Sequence, residues 1–289
     1  MRRSPASASS NCAGSGFRDF RSRPRGAPAR NRTVISVRQL TKRFGPQTAV
    51  DSLSFDIAPG QVVGLLGPNG AGKSTTLRML TGMLRPTAGT AEIYGHDLLT
   101  DPMGVKRSVG FVPDSGAVYS SLTGLEFLET IAAIYGIDAG AAGERIRQFL
   151  GFFDLGSDVL TTKLLGAYSK GMKRKIVITA ALLHNPPVVF FDEPLDGLDA
   201  NAAVGFKTLI QTLAREGKAI IYSSHILDVV ERVCDRIMII DQGRLKVDGP
   251  PAELVARHGA RSLEHLFTGL TGGEDLERKA EEFARTFRA

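Results

Sequence analysis

The apolar positions of this chain fall into short runs whose period changes along its length. Val34-Ile35-Ser36-Val37 and Leu53-Ser54-Phe55-Asp56-Ile57 alternate between apolar and polar residues, the pattern of half-buried strands. Pro59-Gly60 marks a turn, and the apolar run Val62-Val63-Gly64-Leu65-Leu66 after it predicts a further strand. A helix is expected over 75–83. Thr90-Ala91-Glu92-Ile93-Tyr94 and Val109-Gly110-Phe111-Val112 read as two more short strands. Residues 122–182 look mainly helical, with breaks near Gly136-Ile137-Asp138 and Gly156-Ser157-Asp158. Val188-Val189-Phe190-Phe191, Ala219-Ile220-Ile221-Tyr222-Ser223 and Arg236-Ile237-Met238-Ile239-Ile240 close the set of predicted strands. Strands alternating with helices predict an α/β core with a mainly parallel sheet, here with a helical block in mid-sequence.

Charge changes the picture at one end. Residues 1–33 hold eight arginines against one acid, Asp19, so this segment carries +7 and the rest of the chain sums to −1. A basic groove is therefore not implied for the folded part, and nucleic acid is not an expected partner. With almost no apolar clustering, 1–33 is expected to be a disordered basic tail. It lacks the apolar stretch of a secretory signal, and its Arg- and Ser-rich composition fits a transit peptide as well as a solvated tail or an over-extended start near Val34. No apolar run approaches the about 20 residues needed to span a bilayer, so another chain must supply any membrane part. Cys12 and Cys234 are too few for a disulfide framework or a metal site.

The candidate chemistry begins directly after the 62–66 run. Gly67-Pro68-Asn69-Gly70-Ala71-Gly72-Lys73-Ser74-Thr75 has the full G-x-x-x-x-G-K-[ST] spacing of a phosphate-binding loop between a strand and a helix. Its glycines let successive N–H groups face phosphate oxygens, and the helix N-terminus adds positive potential. Lys73 can reach the β- and γ-phosphates, and the Ser74 hydroxyl can ligate Mg²⁺. The 188–191 run ends in Asp192-Glu193, which puts two acids at the carboxyl edge of a buried strand, where ligands bind in open α/β sheets. Asp192 suits Mg²⁺ held through water, and Glu193, pointing elsewhere, suits polarising the attacking water. Tyr168-Ser169-Lys170-Gly171-Met172 opens a helix and, taken alone, reads as a simple N-cap. Leu195-Asp196-Gly197-Leu198-Asp199 follows Pro194. Ser223-Ser224-His225 follows a strand expected beside that of Asp192, which favours His225 as a γ-phosphate contact.

In order and spacing these motifs resemble the nucleotide-binding subunit of ABC transporters, and most of all the bacterial drug and antibiotic exporters, over about residues 34–250. The resemblance implies a phosphate-loop, RecA-like core with a small antiparallel β subdomain, an inserted helical subdomain at about 115–182, and a C-terminal helical extension at 251–289. It implies that Phe44 stacks on adenine and that residues 67–75 hold ATP. Ser169, Gly171 and Met172 would contact the γ-phosphate of ATP held by the opposite subunit. Asp192 would associate with Mg²⁺, Glu193 would be the general base, Asp199 would communicate across the dimer, and His225 would be the switch histidine. Two positions depart from the pattern. Lys170 replaces a common glycine, and Asp114 replaces a glutamine that helps ligate Mg²⁺. Asp114 is a candidate ligand as a hard oxygen donor, although it adds negative charge beside a triphosphate.

The implied activity is ATP hydrolysis that powers export through a separate membrane permease. Two copies would close head to tail over ATP, on the cytoplasmic face of the membrane. The alternatives are a non-transport ATPase of the same family, a regulatory subunit that binds ATP, and a different phosphate-loop enzyme such as a kinase. Near the end of the chain, Leu276, Ala280, Phe283 and Phe287 share one helical face. That face predicts a helix packed on the core or, alternatively, a dimer or regulatory contact.

Overall fold

The computed structural model describes residues 33–115, 118–272 and 276–287, so the expectation for the basic tail falls, apart from Thr33, outside the described residues. The first two strands, β1 (Ile35–Phe44) and β2 (Gln47–Ile57), form an antiparallel pair. Their register sets Ile35 against Ile57 and Val37 against Phe55, so the alternating pattern buries one face of the pair. Every residue of β3 (Val62–Leu66) is buried. The phosphate-loop segment leads into α1 (Lys73–Leu80). This helix starts two residues before the expected 75–83 because Gly72, in the left-handed region at φ 104°, sets its first turn. β4 (Ala88–Ile93) pairs with β1, and the short β5 (His96–Asp97) completes a four-stranded antiparallel sheet in the order β2-β1-β4-β5. Next come α2 (Pro102–Ser108) and β6 (Val109–Val112).

The helical block holds α3 (Gly124–Ile134), α4 (Ala139–Phe153), α5 (Ser157–Thr162) and α6 (Lys170–Leu183). Thr123 and Glu126 form a capping box that starts α3, Asp138 caps α4 at the first break, and at the second the chain leaves α4 through Asp154 in the left-handed region (φ 50°). Phe127, Leu128, Ile146, Leu160, Leu165, Ile176 and Leu183 form its separate apolar cluster.

The chain then returns to the main sheet through β7 (Val188–Asp192), α7 (Ala200–Arg215), β8 (Ala219–Ser223), α8 (Leu227–Val233), β9 (Arg236–Asp241) and β10 (Arg244–Gly249). The six strands lie in the order β10-β9-β3-β8-β7-β6, all parallel except β10, which runs antiparallel to β9. Alternate residues feed two cores: Val62, Leu66, Val189, Phe191, Ile220 and Tyr222 on one face, Val63, Leu65, Val188, Phe190 and Ile221 on the other. Burial on both faces explains why these strands read as continuous apolar runs. It also puts the carboxyl ends of β3, β7 and β8 side by side.

Three helices follow: α9 (Pro251–Arg257), α10 (Leu263–Thr271) and α11 (Leu276–Arg285). Leu254, Leu263 and Leu266 seat α9 and α10 in the core. Phe283 and Phe287 do not follow the expected packing on the core. They stand 66% and 74% exposed and meet edge to face at 5.1 Å, covering each other one helical turn apart.

Candidate functional site

The loop between β3 and α1 is shaped by glycine. Gly72 adopts φ 104°, and a Cβ there would strike the Ala49 carbonyl of β2, so only glycine lets β2 lie this close. As N-cap residue it supplies no side-chain cap, which leaves the first N–H groups of α1 for an anionic ligand. Lys73 is buried and folds back into the loop, donating to the carbonyls of Gly67 (2.5 Å) and Pro68 (3.2 Å). Burial pushes its ammonium below the usual range, while Glu193 and Asp192 oppose that shift. Phe44 ends β1 in the hairpin just ahead of Ala49. It is half exposed, with Lys42 Nζ 5.1 Å from its ring centre.

The neighbouring strand ends carry the acids. Asp192 and Ser223 are register partners on β7 and β8, and Ser223 Oγ donates to Asp192 Oδ1 at 2.5 Å. Both are buried. At Glu193 the backbone turns into the left-handed region (φ 49°), an unusual conformation for a side chain with a Cβ. Its N–H donates to the Ser223 carbonyl at 3.1 Å. Glu193 Oε2 lies 3.0 Å from His225 Nδ1. His225 is largely exposed, whereas Glu193 is mostly covered.

Ser169, Gly171 and Met172 stand at the start of α6. Ser169 Oγ caps the helix by accepting from the Met172 N–H at 3.2 Å. Gly171 lies against the backbone of Gly197. Lys170 Nζ reaches Asp196 Oδ2 at 2.5 Å and holds that carboxyl below its usual range. Asp199 caps α7 through the Ala202 N–H and pairs with Lys175 at 3.1 Å. Those two contacts, the N–H first, hold its carboxyl low. The 196–199 segment is thus bound to the start of α6. The Asp114 side chain is 61% exposed.

The donor set suits Mg²⁺. The buried carboxylate of Asp192 and the hydroxyl of Ser74 are hard oxygen donors, and Mg²⁺ is usually held by one or two carboxylates together with substrate phosphates and water. Among the described residues no group of three or more His, Cys, Asp or Glu forms a protein-only metal cage.

Sequence reasoning missed Ser223 and Arg174. The first has a signal: the β8 run ends in polar Ser223-Ser224-His225 just as the β7 run ends in Asp192-Glu193. Arg174, within a Lys/Arg-rich stretch, gives no sign that it is buried.

Comparison with known proteins identifies the family. The ABC transporter family profile matches residues 50–196. The chain is 36% identical over 230 residues to the daunorubicin/doxorubicin resistance ATP-binding protein DrrA of Streptomyces peucetius, covering 80% of this chain and 69% of that protein. It is 37% identical over 227 residues to the bacitracin transport ATP-binding protein BcrA of Bacillus licheniformis, covering 78% and 72%. Among solved structures, an ATP-binding subunit of an ABC transporter superposes with a TM-score of 0.77 at 32% identity, covering 82% of this chain and 99% of that one. The matched segment carries both the Gly67–Thr75 loop and the Asp192-Glu193 pair, and this chain belongs to the ABC transporter family, as one of its ATP-binding subunits.

Proposed function

We propose that this ATPase subunit powers the export of small drug- or antibiotic-like compounds through a separate permease chain, on the cytoplasmic face of the membrane. One observation carries the catalytic part: Glu193, at a left-handed backbone position after Asp192, has its Oε2 3.0 Å from His225 Nδ1, near the Lys73 of the phosphate loop. The names of DrrA and BcrA support the substrate class. Among the described residues no helix is long and apolar enough to cross a membrane, which fits a partner chain that supplies the path.

Residues 67–75 bind the triphosphate through N–H groups, and Lys73 leaves its carbonyl partners for the β- and γ-phosphates. Phe44 stacks on the adenine. Glu193 accepts the proton of the attacking water, and His225 holds the γ-phosphate. Ser74 and Asp192 would hold Mg²⁺, which supplies charge neutralisation on the phosphates when bound. Ser169, Gly171 and Met172 would serve the nucleotide of a second copy, so that ATP closes a head-to-tail homodimer and phosphate release reopens it.

Phosphate release by the purified full chain, alone and co-expressed with the product of a neighbouring reading frame of about six apolar spans, tests this reading. The expected result is ATP hydrolysis that rises with the membrane partner, together with export of a drug-like compound. ATP binding without turnover in either setting would favour the regulatory reading instead.

A further inference from the structure

Arg174 is 2% exposed, a position at which an uncompensated charge is strongly disfavoured. It lies on α6, five residues beyond the Ser169 cap, and its guanidinium reaches two segments distant in sequence. Nη1 donates to the Pro113 carbonyl at 2.7 Å and Nη2 to the Asp114 carbonyl at 2.8 Å, while Nε faces the Asp196 carbonyl at 3.4 Å. These partners belong to the loop after β6 and to the turn after β7. Lys170, at the same end of α6, adds a second tie to Asp196.

Carbonyls supply dipoles but no net charge. Asp114 does, with Oδ1 4.0 Å from Arg174 Nη2. The family resemblance leads one to expect a neutral amide at position 114, and an amide there would leave the buried guanidinium without this carboxylate. Burial pulls the Arg174 pKa down, and Asp114 is the foremost of the carboxylates that oppose the shift. The acid at 114 and the buried arginine at 174 thus complement each other, with Asp196, Asp192 and Glu193 adding to the same field.

We propose that Asp114 is the counter-ion of Arg174 and that Arg174 is a positioning residue, making the 113–114 loop, the 196–199 turn and the start of α6 move as one body during the ATPase cycle. This rests on the ATPase reading above. It assigns Asp114 to protein geometry and not to Mg²⁺. It also gives a mechanical link between a loop on the core sheet and the residues that meet a second copy's nucleotide.

The test uses the full chain and four variants: Asp114→Asn, Arg174→Lys, Arg174→Met and the Asp114→Asn/Arg174→Met double. Turnover, KM for ATP, Mg²⁺ half-saturation and melting temperature are read for each. Asp114→Asn should lower kcat about threefold or more and leave Mg²⁺ half-saturation within about twofold. Arg174→Met should lower kcat about tenfold or more with little change in KM for ATP. Arg174→Lys, charged but unable to span two carbonyls, should fall between. The double variant should be no slower than Arg174→Met, because Asp114 acts through Arg174.

A roughly tenfold rise in Mg²⁺ half-saturation for Asp114→Asn would make Asp114 a metal ligand and overturn the assignment. Losses that multiply in the double variant, or unchanged kcat in folded Arg174→Met, would overturn it as well. Should Arg174→Met not fold, Arg174→Lys takes its place in the same cycle. A wild-type chain without turnover would remove the ATPase reading, and melting temperatures would still decide the counter-ion: Asp114→Asn should lower the wild-type value and leave that of the Arg174 variant unchanged.

Discussion

His225 Nδ1 lies 3.0 Å from Glu193 Oε2, so the two residues proposed as phosphate contact and general base occupy each other. The contact depends on backbone geometry. Glu193 sits at φ 49° with its N–H held by the Ser223 carbonyl, and Ser223 in turn holds Asp192. Under the proposed roles, a γ-phosphate that drew His225 away would free Glu193 for water.

Glu193→Gln keeps the shape and removes the base. ATP affinity should persist while kcat falls at least about a hundredfold, the scale of general-base catalysis. An ATP-bound dimer should accumulate and be visible by size-exclusion chromatography. His225→Ala should also lower kcat, because the freed base gains nothing without the phosphate contact. Near-normal steady-state hydrolysis by Glu193→Gln would remove the base assignment.

Lys73 is the proposed cation on the phosphates. Lys73→Ala should weaken ATP binding about tenfold or more and abolish turnover, since a charge-assisted contact in a buried site is lost. The two carbonyls it leaves, on Gly67 and Pro68, belong to the loop itself, so a modest drop in melting temperature should accompany the change. Unchanged ATP affinity by calorimetry would contradict the phosphate-loop reading.

The parallel core was legible because strands buried on both faces are apolar along their length, as 188–191 and 219–221 are. The acids and polar residues at their ends were legible for the same reason: a break in an apolar run marks a strand edge. α7, α8 and β10 gave weaker signals, since helices on the outside of the sheet and an edge strand such as Arg244–Gly249 mix charged and apolar residues. The burial of Arg174 was not legible at all. It depends on carbonyls contributed by two loops about 60 and about 20 positions away, a tertiary fact that no local pattern encodes.

His184 gives stability a pH dependence. Its ring stacks on Tyr135 at 3.8 Å, Nε2 meets the Val109 carbonyl at 3.2 Å, and burial lowers its pKa to about 4. The unfolded chain takes up this proton near the ordinary value of about 6.5, before the folded one does. The contribution of His184 is therefore full above that value and is lost as pH falls toward about 4. The melting temperature of the wild type should drop more between pH 7 and pH 5 than that of His184→Phe, which keeps the stack and cannot titrate. Parallel curves would show that His184 is not responsible.

Gly171 tests the joint between α6 and the 196–199 turn. A Cβ at this position would sit closer to the Gly197 carbonyl oxygen than the 3.0 Å that real Cβ atoms keep. The obstacle is backbone, so the turn itself must shift. Gly197 has little freedom to do so, being in the left-handed region at φ 83° with Lys170 packed against it. A shift would also loosen the Lys170–Asp196 pair and move the Asp196 carbonyl relative to Arg174. Gly171→Ala should therefore cost about 1–3 kcal/mol, the scale of overpacking. In a protein of this size that is a fall of about 2–4 °C in melting temperature per kcal/mol. Turnover should fall too, because Ser169 and Asp199 flank the joint. Gly143→Ala supplies the control. It lies inside α4 with open space where its Cβ would go, so the helical preference of alanine should raise stability by about 0.5–1 kcal/mol. Two glycine-to-alanine changes in helices are thus expected to have opposite signs. If both stabilise the protein, the close approach of α6 to Gly197 does not constrain the site.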